Sequence, residues 1–262
     1  MTGRRVIDIY AWLVCVFLMV PTIIIIPMSV GPDRFLQFPP RGFSLEWYAA
    51  YFADRDWIAA TLFSLKAGVI AAALATVIGT MVALSLVRGR PPGRRAIETL
   101  VVGPIVVPHI ALAVALFLVF DRLGLTGTLI GFAAAHTVLA LPFAVFSVLA
   151  ALRRFDPALE MAARSCGANR WSAFLHVTLP QITPGIASAA LFAFIISFDE
   201  AVVSFFISDI DGKTLPRKMF EDIDYDLSPV LAAVATLLTA LSVVVLLAAH
   251  WIGRRGAVRG VA

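Results

Sequence analysis

The chain is short of charge, of cysteine and of histidine, and each shortage excludes something. Charged residues make up only 15% of the 262 positions, against about 25% in ordinary globular proteins. That excludes a disordered chain and a charge-laced coiled coil. Two cysteines, Cys15 and Cys166, are too few for a disulfide scaffold. One falls inside a long apolar run and the other in a polar connection, so both read as packing residues that never meet. The four histidines, His109, His136, His176 and His250, lie far apart, and none stands at metal-ligand spacing from cysteine or carboxylate. His136, beside Thr137, reads as a hydrogen-bonded packing residue of a helix. No triad or pair of acids gathers on one loop, so an enzyme is not expected. Gly212-Lys213-Thr214 looks like the end of a phosphate loop, but that motif needs a glycine five positions earlier, where Ile207 stands. A nucleotide site in this chain is therefore not expected. Alternation of polar and apolar residues over the ten or so positions of a barrel strand is also missing.

What is present is apolar. Hydrophobic residues reach 60% and mean hydropathy is +0.92. A single water-facing core of this size could not hide that surface, so most of the chain must have lipid as its solvent. Six runs carry no charged residue: 9–30, 67–87, 99–120, 123–152, 171–198 and 227–253. About 20 apolar residues in a helix cross roughly 30 Å of hydrocarbon, so each run suffices. The reading is an all-α membrane protein, one transmembrane domain over 1–262, with helices near 8–30, 57–87, 98–120, 129–152, 181–207 and 229–252. A Gly124/Gly127 turn precedes the fourth. The first apolar run is longer than the 7–15 residues of a signal peptide and no A-x-A-like site follows, so it is expected to stay as helix one.

Basic residues orient the spans. One side holds Arg4, Arg5, Arg88, Arg90, Arg94, Arg95, Arg153, Arg154, Arg164, Arg170, Arg254, Arg255 and Arg259. The other holds fewer, namely Arg34, Arg41, Arg55, Lys66, Arg122, Lys213, Arg217 and Lys218. It also carries most acids: Asp33, Glu46, Asp54, Asp56, Asp121, Asp209, Asp211, Glu221, Asp222, Asp224 and Asp226. Both termini are thereby predicted to be cytoplasmic. The net charge of +4 follows from this asymmetry, and no nucleic-acid surface need be invoked.

The connection 153–180 is too long for an ordinary link between membrane helices. Asp156-Pro157 signals a helix start, a carboxylate at the N-cap followed by proline at the first helical position. Leu159, Ala162, Ala163 and Cys166 then fall on one apolar stripe. Gly167 supplies a left-handed stop, Asn169 caps a second short helix, and Pro180 is expected to end it. A short amphipathic helix with alanines on its stripe suits another protein's groove or a bed of lipid headgroups, and the flanking arginines fit either.

Here the sequence resembles a known family. Leu159-Glu160-Met161-Ala162-Ala163-Arg164-Ser165-Cys166-Gly167-Ala168, with Phe174, Val177, Leu179-Pro180 and Pro184-Gly185, is similar to the "EAA" loop of bacterial ABC importer permeases. Met161 stands at the family's glutamate position, and Glu160 one residue before it. Further similarity lies in Leu62-Phe63-Ser64-Leu65 with Gly79, in Pro104, Pro108, Gly124-Leu125, Thr128, His136-Thr137 and Leu141-Pro142. It continues in Ser197-Phe198-Asp199-Glu200, Val203-Ser204-Phe205-Phe206, Thr214-Leu215-Pro216 and the 232–237 segment, which resemble the spermidine/putrescine branch. The resemblance implies a type I, MetI-like permease fold of six transmembrane helices with a cytoplasmic coupling helix, in a bacterial inner membrane. It further implies a second, homologous permease chain, two ATPase subunits that bind ATP and Mg, and a periplasmic solute-binding protein. Leu159, Glu160, Met161, Ala162, Ala163, Cys166 and Gly167 would meet the ATPase. The cargo would be a polyamine or related small amine, although related permeases carry amino acids, opines or phosphonates. An ion-driven secondary transporter is the rival class, but it needs internal repeats, and no three-plus-three repeat is evident.

Asp199 and Glu200 are expected inside helix five, where charge is costly and so calls for a reason. One of them could face the pathway and attract a cation, or either could pair with Lys66 or with the partner chain. Neighbours on a helix are about 100° apart, so the two should not share one surrounding.

Overall fold

A computed structural model describes residues 2–89, 91–209, 212–225 and 228–259 of the chain. Of the charges read above, Arg90, Asp211 and Asp226 lie outside these residues. So do the side chains of Arg4, Arg254, Arg255, Arg259 and His250. Every regular element among the described residues is helical. Among the described residues, four helices are long and apolar enough to cross a membrane: Arg5–Met28, Arg55–Arg88, Leu129–Arg154 and Arg170–Phe198. A bent pair, Arg94–Val106 and His109–Leu123, makes a fifth span if counted as one, and a shorter apolar stretch runs over Val230–Val244.

One compact unit comprises Met1–Ala59 and Met219–Ala262. It holds α1 (Thr2–Met28), α2 (Glu46–Ala53) and α12 (Val230–Arg259), with most of α11 (Leu215–Tyr225). α12 packs on both α1 and α2. The loop between α1 and α2 is tied by side chains: Ser29 Oγ lies 2.6 Å from Tyr48 Oη, and Trp47 Nε1 donates to the Gly31 carbonyl at 2.9 Å. No residue of the most apolar stretch of α1 is buried within the chain. Its apolar face therefore belongs to lipid or to another protein.

The second unit, Ala60–Lys218, contains nearly all of α3 (Arg55–Arg88). It also holds α4 (Arg94–Val106), α5 (His109–Leu123), α6 (Leu129–Arg154), α7 (Pro157–Ser165), α8 (Arg170–Ala173), α9 (Leu179–Phe198) and α10 (Val202–Ile207). One of its buried clusters is rich in small residues. Ala72, Ala75 and Ala83 of α3, Ala140 and Ala144 of α6, and Ala189 and Ala193 of α9 form one buried cluster. Lipid offers no hydrophobic drive for helix association, so close approach and dispersion must hold such helices together. Gly79 and Gly185 mark the closest approaches. A Cβ at Gly79 would lie 2.9 Å from that of Ala144, and one at Gly185 would collide with Ala151.

Three expected helices differ from what is seen. The span 98–120 is two helices that meet at 108°. Pro108 has no N–H to donate and forces Val107 into extended backbone, with φ −71° and ψ 132°. The span 181–207 ends at Phe198 and resumes as α10, with Asp199 at φ −90°, ψ 0° in the gap. Nor does Pro180 stop a helix. The chain continues from Arg170 to Phe198 through a π-helical turn at Phe174–Thr178. There the Leu179 N–H reaches back five residues to the Phe174 carbonyl, a wider turn that accommodates the proline ring. The helices expected at 57–87 and 129–152 appear as Arg55–Arg88 and Leu129–Arg154, whereas α1 begins earlier than expected, at Thr2, and α12 runs on to Arg259; the Gly124 and Gly127 turn appears with φ of 64° and 70°.

Candidate functional site

Both helix breaks open on one cavity of about 400 Å³. Pro104, Ile105 and His109 line it from the α4–α5 bend, Leu139 and Phe143 from α6, and Ile195, Ile196 and residues 199–202 from the α9–α10 gap. The two adjacent acids meet different surroundings there. Asp199 is exposed at the C-cap of α9, and its carboxylate makes no hydrogen bond or ion pair among the described residues. Glu200 is buried at 7% exposure. Its Oε1 accepts the Val203 N–H at 2.8 Å, satisfying a donor in the first turn of α10 as a capping carboxylate does. Its Oε2 lies 4.0 Å from Nδ1 of His109. Lys66 forms no ion pair with either acid among the described residues. The acids thus lie at a helix break, not inside a continuous helix as their apolar surroundings had suggested.

The break is held from behind. His136 is fully buried; its Nδ1 lies 2.8 Å from Ser197 Oγ at the end of α9, and its Nε2 3.3 Å from Ser204 Oγ in α10. Ser204 Oγ in turn donates to the Glu200 carbonyl at 2.7 Å. One imidazole therefore pins both sides of the gap. His136 is legible in the sequence as a hydrogen-bonded packing residue, but its partners, 61 and 68 positions away, are not. His109 and Phe143 of the cavity carried no signal at all, since only the bend at Pro108 brings α5 to this wall.

The second region surrounds α7. Asp156 caps it by accepting the Ala158 N–H at 2.9 Å, Pro157 begins it, and Gly167 turns the chain away at φ 96°. Asn169 caps α8 by accepting the Ser172 N–H. The stripe is laid open: Leu159, Ala162 and Cys166 are exposed and Ala163 half-buried. Met161 is 61% exposed. Glu160 points the other way, 2.8 Å from Arg88 Nη2 of α3 and accepting from Thr178 Oγ1 at 2.8 Å. So the structure brings the apolar members of the expected coupling set to the surface and turns their one acid inward.

Comparison with known proteins agrees with this architecture. The family model described as "Binding-protein-dependent transport system inner membrane component" matches residues 75–257. The chain is 30% identical to the spermidine/putrescine transport system permease protein PotC of Escherichia coli K12, over 97% of this chain and 96% of that one. It is also 30% identical to that organism's putrescine transport system permease protein PotI, covering 85% of this chain and 81% of the relative. Among solved structures, a chain of a bacterial alginate ABC transporter, crystallised with an alginate pentasaccharide-bound periplasmic protein, superposes with a TM-score of 0.73. That match is 18% identical and covers 96% of both chains, so it speaks for the fold. An ion-driven carrier of another family is thereby set aside. The all-helical fold, the extent of the match and the identity to two permeases place this chain in the family of inner membrane components of binding-protein-dependent transport systems.

Proposed function

We propose that the chain is one permease subunit of an ATP-driven polyamine importer and that Asp199 is a cargo contact along its pathway. The observation that carries this reading is the free, exposed carboxylate of Asp199 on a cavity at the meeting of two broken helices. A cation leaving water gains a charge-assisted contact from such a group. The apolar wall supplied by Leu139, Phe143 and Ile195 suits the methylene segments of a polyamine. Two relatives named for spermidine or putrescine transport support the cargo class.

On this reading a second, homologous permease completes the pathway and a periplasmic solute-binding protein delivers cargo. Two ATPase subunits, which hold ATP and Mg, meet the exposed face of α7 through Leu159, Met161, Ala162, Ala163 and Cys166, with Gly167 turning the chain clear. Both termini lie in the cytoplasm, on the arginine-rich side. The chain itself is a transport subunit and not an enzyme.

Uptake of labelled spermidine and putrescine by the reconstituted system tests the proposal. Asp199→Asn should lower uptake roughly tenfold, the scale of one lost charged hydrogen bond, at parental complex yield. Glu200→Ala should instead lower the yield, because it removes the α10 cap. Full-rate uptake by Asp199→Asn would overturn the pathway role, and equal uptake of an anionic cargo would overturn the polyamine assignment.

A further inference from the structure

α7 is a short helix with little to hold it. None of its residues is buried, and its links to the neighbouring helices are extended backbone at Phe155 and Asp156 and the left-handed Gly167. Most of its side-chain hydrogen bonds are local: Asp156 to the Ala158 N–H, and Ser165 Oγ to the Met161 carbonyl. Glu160 is different. Its Oε2 takes both the Arg88 guanidinium and the Thr178 hydroxyl at 2.8 Å, and Arg88 Nη2 donates to Thr178 Oγ1 at 3.0 Å. The three groups close a triangle. Arg88 ends the 34-residue α3, and Thr178 is fully buried where the π-helical turn runs into α9. The guanidinium also lies over two rings, 5.5 Å from the centre of Phe155 and 5.9 Å from that of Phe174. A planar cation stacked on rings and bonded to a carboxylate is fixed in orientation far better than a lone surface pair.

We propose that Arg88, Glu160 and Thr178 are positioning residues that fasten α7 to α3 and α9, so that a displacement imposed on α7 reaches both helices. α9 carries that displacement to Phe198, immediately before Asp199. Glu160, on this view, does not touch the ATPase; it transmits what the exposed stripe receives. The inference rests on the reading of α7 as the ATPase contact.

The experiment uses the full complex of both permeases, ATPase and binding protein in proteoliposomes. It compares Arg88→Gln, Arg88→Lys, Glu160→Gln, Thr178→Val and the exchange Arg88→Glu with Glu160→Arg. The single neutralising variants should still co-purify with the ATPase. Cargo moved per ATP hydrolysed should fall roughly fivefold or more, the lower range for coupling between sites. Arg88→Lys should lose less, and the charge exchange should recover part of the loss that each member causes alone. Unchanged cargo per ATP in all the single variants would overturn the proposal. So would loss of ATPase from Glu160→Gln but not from Arg88→Gln, because that marks Glu160 as a direct contact. A separate control keeps the premise distinct: ATPase retained by Ala163→Arg would count against the α7 contact itself, whatever the tether variants do.

Discussion

Asp199 and Glu200 are neighbours in sequence and opposites in circumstance. An acid in an apolar stretch stands out in any reading, because its charge is costly in hydrocarbon. That two adjacent acids should differ was also legible, from the turn of a helix. Which one is tied down was not, because the answer depends on a break that no proline marks. The gap frees the N–H groups of α10, and Glu200 folds back to satisfy one of them, leaving Asp199 for the cavity. His136 holds that arrangement in place. His136→Ala would leave the hydroxyls of Ser197 and Ser204 without their shared partner and open a void between α6 and the gap. Interhelical hydrogen bonds in membranes contribute about 0.5–2 kcal/mol each. Thermal unfolding of the purified permease in detergent should therefore show a lowered Tm, with uptake of the proposed polyamine cargo reduced even in the fraction that stays assembled. An unchanged Tm would mean that the imidazole holds nothing.

At the scale of elements, capping chemistry was the most readable part of the chain. Asp156-Pro157, Asn169 and the glycines at 124, 127 and 167 act where their side chains and backbone preferences dictate. Their partners lie within a few residues, so local sequence contains the whole interaction. Prolines were less readable. Pro108 bends the chain sharply, whereas Pro180 is absorbed in a wider turn and Pro142 lies buried inside an unbroken α6. A proline removes one hydrogen bond and adds one clash, and the neighbours decide how both are relieved. The α6–α9 contact offers a direct check on packing. Gly185→Leu would press a side chain onto Ala151 and the Ser147 carbonyl, and overpacking of this kind costs about 1–3 kcal/mol. The variant should unfold at lower temperature and yield less complex, while Gly103→Leu, with open space around it, should leave both close to parental values.

For the molecule as a whole, the surface on which the proposed coupling depends is the open stripe of α7. Where the family pattern has a glutamate, this chain presents Met161, and its neighbours are leucine, alanine and cysteine. If α7 meets an ATPase as proposed, Ala163→Arg should bury an unpaired charge against it, at about 3–5 kcal/mol. The ATPase should then fail to co-purify while the permease still inserts into the membrane at parental level. Composition, charge, apolar periodicity and capping residues determined by themselves that the chain lives in a membrane, how many apolar stretches it has, and that α7 is a feature apart. These follow from the solvent each residue requires and from hydrogen bonds made within a turn or two. Only the tertiary structure decided where helices break, which acid is free, and that Glu160 belongs to Arg88 and Thr178. The pin through His136 and the triangle at Glu160 join residues 18 to 90 positions apart, and such pairs come into being only when helix packing brings them within reach.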